Sequence, residues 1–157
     1  MRNRVLFALV CLCCFIFTAA LAELDPPAQQ IVRVPGDVAT LPEALAIVQP
    51  GDIIEMAPGH HAVVGRNLPL KAGLTIRVDP KGVGRSILHE VAAFAGDWRD
   101  QPVFVLDQTG EPCRLEGLEF HQWRLSDSPY ETISNPIIYV ASGELQVNDC
   151  HWLDCYK

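Results

Sequence analysis

The chain has 157 residues, enough for one domain with a real core. Its 19 acidic residues outnumber its 12 basic ones, giving a net charge of −7. No basic patch is visible, which sets nucleic acid aside as a partner.

Residues 1–22 read as a secretory signal peptide. Arg2 and Arg4 form its positive start, Val5 to Phe17 its apolar stretch, and Ala20-Leu21-Ala22 an A-x-A cleavage site that makes Glu23 the mature N-terminus. The apolar stretch is shorter than the roughly 20 residues a spanning helix needs, so no stable membrane span is expected after cleavage. Cys11, Cys13 and Cys14 do not complete a lipobox, because Val10 stands where a small residue is wanted. The chain is therefore expected to be secreted, periplasmic or on the cell surface. Cleavage leaves ten basic against 19 acidic residues, a net −9. A polyanionic polysaccharide is repelled by that charge unless a divalent cation bridges it. Cys113, Cys150 and Cys155 remain, an odd and widely spaced set that reads as small buried apolar residues and fixes no pairing.

The mature chain, 23–157, reads as one domain. Residues 23–30 are a polar lead-in with two prolines, and Ile31–Val34 is a short strand ended by Pro35-Gly36-Asp37. Thr40 with Glu43 three residues later is a capping box. Leu41, Ala44, Leu45 and Val48 have the spacing of a helix with one apolar face, stopped by Gln49-Pro50-Gly51. Strands are expected at Asp52–Ala57, Leu68–Leu70, Leu74–Val78, Ser86–Leu88, Val103–Leu106, Cys113–Glu116, Leu118–Phe120, Ile137–Val140 and Leu145–Val147, with Cys150–Trp152 following. Pro58-Gly59 reads as a turn, and two polar excursions cover 89–101 and 121–136. After Val48 no convincing helix remains. A doubly wound α/β sheet is thereby excluded, since each of its crossovers needs one. Two-residue Asn-Gly or Asp-Gly turns are missing, which argues against a sandwich of hairpins.

The strands repeat. Shifted by 32 residues, CRLEGLEF (113–120) overlies LQVNDCHW (145–152): Leu115 falls on Val147, Leu118 on Cys150, Phe120 on Trp152, Glu116 on Asn148 and Glu119 on His151. Gly117 falls on Asp149, and both residue types tolerate the left-handed backbone of a sharp corner. Stacked repeats of this kind build parallel sheets around a narrow apolar core. The lone helix then has a role, since it can plug the open hydrophobic end of the stack.

TLPEALAIVQPGDIIEMAPG, LKAGLTIRVDPKG and the pair CRLEGLEF and LQVNDCHW resemble the pectin-lyase-like right-handed parallel β-helix family, from Ile31 to the C-terminus. The resemblance implies an all-β solenoid with a short N-terminal capping helix. It also implies a range of activities, from pectate, alginate and chondroitin lyases to non-catalytic adhesins. Two departures stand out. Family members follow the second Pro-Gly with Thr-Tyr, where this chain has His60-His61. They are also commonly about twice as long, and the end at Lys157 suggests truncation at the C-terminus or capping by another chain.

A lyase of this type needs a basic side chain and a charge-neutralising group, often Ca²⁺ on clustered carboxylates. Glu116, Glu119 and Asp149 are candidates for such a cluster, and a solvated acidic face is the plainer alternative. No other cofactor is called for. His60 and His61, adjacent on an extended segment, point to opposite faces and cannot easily share an ion. Glu119 and His151 form a plausible pair across neighbouring repeats. In the excursions, Trp98 and Arg99 beside Phe94, and Trp123 and Arg124 with Tyr130, combine flat rings with cations as sugar-binding surfaces do. The same aromatics can equally anchor the loops.

Two functions fit. One is a non-catalytic exported module, a scaffold, adhesin or glycan-binding protein. The other is a lyase-like enzyme acting on acidic polysaccharide, with Arg99 or Arg124 near the sugar. The partner in either case is a polysaccharide or a cell-surface component.

Overall fold

A computed structural model describes residues 28–90, 102–121 and 137–153. The expected signal peptide, the expected cleavage site at Ala22 and Glu23, and most of both excursions lie outside these residues. Among the described residues, twelve short strands and one helix make up the elements. In chain order they are β1 (Ile31–Val34), α1 (Leu41–Ile47), β2 (Ile53–Met56), β3 (Gly59–Val63), β4 (Leu68–Leu70), β5 (Thr75–Val78) and β6 (Ser86–Glu90). Then follow β7 (Phe104–Asp107), β8 (Cys113–Glu116), β9 (Leu118–His121), β10 (Ile138–Ser142), β11 (Leu145–Asn148) and β12 (His151–Leu153).

Every strand pairing is parallel. The strands form three sheets ordered β1-β2-β5-β8-β11, β3-β6-β9-β12 and β4-β7-β10. The chain thus visits the three sheets in a fixed rotation: β2-β3-β4, then β5-β6-β7, then β8-β9-β10, then β11-β12. The 32-residue repeat seen in the sequence is the register itself. Leu115 pairs with Val147, Glu116 with Asn148, Glu119 with His151, and Phe120 with Trp152. One strand had no counterpart in the sequence reading. Gly59–Val63 is β3, where the sequence marks only a turn at Pro58-Gly59, because Gly59 opens the strand at φ 124 and the apolar signal of GHHAV is weak.

Alternate residues of each strand turn inward, as the pleat requires. Inward columns run Val32–Ile54–Ile76–Leu115–Val147 in the five-stranded sheet and Leu88–Phe120–Trp152 in the four-stranded one. Phe120 and Trp152 stack face to face, with ring centroids 5.2 Å apart and planes 12° from parallel. Each fully buried aliphatic side chain in such a column contributes about 1.5–3 kcal/mol.

The helix forms where the capping box predicts. Thr40 is extended (φ −135°, ψ 156°) and its side chain accepts from the Glu43 N–H. Glu43 Oε2 accepts in return from the Thr40 N–H at 3.2 Å and the Ala39 N–H at 3.0 Å. At the other end Lys71 Nζ donates to the Val48 carbonyl, meeting one of the acceptors a helix leaves open. Leu41, Ala44, Leu45 and Val48 are all buried. The helix packs on β1, β3 and β4, the first strand of each of the three sheets. Leu41 accordingly meets Leu70, Ile76, Leu88 and Phe104 around an apolar gap of only about 10 Å³, roughly one water's worth of space. At the opposite end, on β10, β11 and β12, Val140, Val147 and Trp152 remain about 40% exposed.

Asp52, expected as a strand residue, stands just before β2. It is 6% exposed, and its carboxylate accepts from the backbone N–H of Gln30 (2.9 Å) and of Gln49 (2.6 Å). It ties the lead-in, the helix exit and the first paired strand together.

Candidate functional site

What faces solvent is set by the other half of each pleat. On the five-stranded sheet one outward column reads Arg33–Glu55–Arg77–Glu116–Asn148. Opposite charges alternate along it. Arg77 Nη2 donates to Glu55 Oε1 at 2.7 Å, and Arg33 Nε lies 3.6 Å from Glu55 Oε2. The Glu55 side chain is only 8% exposed, and these two cations offset the cost of burying a carboxylate there. The neighbouring outward column places Arg114 against Gln146, with Nε donating to Oε1 at 3.2 Å.

The four-stranded sheet carries a different chemistry. Its two outward columns read His60–Ile87–Glu119–His151 and Ala62–His89–His121–Leu153. Four of the chain's five histidines therefore share one face. His60 meets His89 edge to face, ring centroids 5.7 Å apart. His89 is the register partner of His121. Glu119 Oε1 lies 2.6 Å from His121 Nε2. That nitrogen is buried and makes no hydrogen bond, so the carboxylate approaches it off the donating axis. His89 Nδ1 is buried and unpartnered in the same way. Such orphaned nitrogens are uncommon inside a protein and ask for a ligand.

The pair His60-His61 splits across the strand as the alternation requires. His60 is exposed, while half-buried His61 turns away and contacts the Ala57 carbonyl through Nε2 at 2.6 Å. The expected Glu119–His151 pair is replaced. The two residues are in register, but each finds its nearer partner two residues away in sequence. Glu119 meets His121, and His151 Nε2 lies 3.8 Å from Asp149 Oδ1. Within β9 a two-residue step returns a side chain to the same face and so brings Glu119 to His121, whereas Asp149 reaches His151 from the corner before β12.

Of the proposed carboxylate cluster, Glu116 lies in β8 and Glu119 in β9, on two different sheets either side of the Gly117 corner. Asp149 is held by Arg85, whose Nη2 donates to Oδ1 at 3.1 Å and whose Nη1 donates to the Asp149 carbonyl at 2.8 Å. Among the described residues no three His, Cys, Asp or Glu side chains already surround one point. Trp98, Arg99, Trp123, Arg124 and Tyr130 lie outside the described residues. In sequence, however, His89 and His121 are the first residues of the two segments, 89–101 and 121–136, that carry them.

Sequence reasoning missed this histidine face. His89 and His121 are 32 residues apart, the same shift that aligns the later strands, and that spacing was the available signal. A groove of about 370 Å³, lined by Pro35, Thr40, Pro58, His60 and His61 among others, lies at the helix end of the same sheet. Cys113 and Cys150 are free thiols, Cys113 fully buried. Among the described residues no helix is long and apolar enough to cross a membrane. Comparison with protein-family models, with curated proteins and with solved structures gave no match.

Proposed function

We propose that the chain is a right-handed parallel β-helix of the pectin-lyase-like type, exported, and that it acts as a non-catalytic module that binds or displays glycan. The fixed rotation through three parallel sheets, closed at one end by α1, supports the architecture. The carrying observation for the function is the commitment of the outward charges. Glu55 is held between two arginines and Asp149 by Arg85. Carboxylates held by arginines in this way, on a scaffold whose next sheet presents a row of outward imidazoles, suit recognition of hydroxyl-rich ligands.

The test is to incubate the chain with pectate, alginate and chondroitin, with and without Ca²⁺, and to follow both retention on the immobilised glycan and absorbance of unsaturated product. Retention without product supports the module. Product that disappears in Arg99→Ala or Arg124→Ala establishes the lyase reading instead. Neither retention nor product removes glycan as the partner.

A further inference from the structure

The histidine face contains two buried imidazole nitrogens without partners and a carboxylate beside one of them. Register places His89 and His121 on the same side of adjacent strands, about 4.8 Å apart along the sheet. Glu119, two residues before His121, shares that side. Its Oε1 sits 2.6 Å from His121 Nε2 without the alignment of a hydrogen bond. Two imidazole nitrogens and one carboxylate oxygen form a mixed donor set. It suits a borderline divalent ion of the zinc, copper or nickel class, whereas calcium takes oxygen ligands.

We propose that His89, His121 and Glu119 form a capture site for a divalent transition-metal ion, one that assembles as the ion arrives. No three donors yet surround a single point, so the site closes when His89 turns Nδ1 toward the Glu119–His121 pair. That turn changes side-chain torsions only, because the register already fixes the backbone of both strands. His60, with its ring edge against His89, limits the volume into which the imidazole swings and supplies a further nitrogen beside the ion. Bound metal would join two successive strands of the sheet at the point where both excursions leave it, and so stiffen that edge. The inference is independent of whether the ligand of the module is a glycan.

Zinc chloride is the probe, titrated into the full chain by calorimetry at neutral pH. Saturable binding is expected, weakened by about 10- to 100-fold or more in His89→Ala and in His121→Ala. His151→Ala, on the same face but beside Asp149 rather than in the cluster, is expected to bind zinc as the parent does. His121→Gln, which keeps most of the volume, repeats the measurement with circular dichroism to establish that the fold is intact. Added zinc is also expected to raise the midpoint of thermal unfolding in the parent and not in His121→Gln. Absence of saturable zinc binding overturns the proposal. So does binding that survives both alanine variants, or equal competition by calcium, which would mean that nitrogen donors play no part.

Discussion

Gly117 and Asp149 occupy equivalent corners in successive repeats. Their φ angles are 70° and 50°, both left-handed, and the Gly117 N–H donates to the carbonyl of Asn148, next to Asp149, at 3.0 Å. A side chain at 117 meets two penalties. The backbone conformation is unfavourable for it, and an added Cβ would lie 3.0 Å from Val78 Cγ1. Gly117→Val is therefore expected to cost about 1–3 kcal/mol, measured by urea unfolding. Asp149→Gly keeps the corner and loses only exposed contacts, with Arg85 and with His151, so its cost should stay below about 1 kcal/mol.

Removing the central carboxylate of the charge column breaks two contacts at once. Glu55→Gln keeps the shape and takes away the charge that Arg33 and Arg77 both face. Arg77 is about one-third exposed and can recover some hydration, which limits the loss to about 1–2 kcal/mol. Adding Arg77→Gln to that variant should restore part of the stability. A fully additive double variant would mean that the pair is not coupled.

The helix is expected to behave as a cover for the three sheets rather than as an independent element. At seven residues it is too short to persist alone. Thr40→Ala removes the cap at a cost of about 1 kcal/mol. Leu45→Ala opens the buried interface and should cost about 2–5 kcal/mol. Both losses should appear in a single unfolding transition of the whole domain, observed by circular dichroism and by intrinsic fluorescence together.

Alkaline pH should destabilise the fold through Cys113. Burial pushes its thiol up to about 12 from an ordinary 9.0, partly offset by the nearby Arg114 charge. The unfolded chain therefore loses this proton near pH 9 while the folded chain keeps it. The stability it contributes is fully present below pH 9 and falls between about pH 9 and 12, at up to roughly 1.4 kcal/mol per unit. Urea unfolding of the parent and of Cys113→Ala across that range tests this. The parent should lose stability more steeply, and parallel curves would contradict it.

Much of the fold could be read from particular residues. Thr40 and Glu43 announced the helix start, and CRLEGLEF with LQVNDCHW announced the register, because inward apolar residues must recur wherever strands stack. β3 was hidden because His60 and His61 give no apolar alternation, and its pairing with β6 is what makes it a strand. The candidate site was less legible. His60, His89, His121 and His151 come from four separate strands, and only the register collects them. The alternating Arg33–Glu55–Arg77–Glu116 column was invisible for the same reason, since its members lie 22 to 39 residues apart.

The central claim is that successive repeats lie parallel and in register, and engineered disulfides test it most directly. Arg114 and Gln146 are outward register partners on β8 and β11, at a spacing that a disulfide spans. The double variant Arg114→Cys, Gln146→Cys should close this bridge on mild oxidation, identified by peptide mapping. The offset double variant Glu116→Cys, Gln146→Cys should stay open under the same conditions. Closure of the offset pair in preference to the register pair would contradict the account.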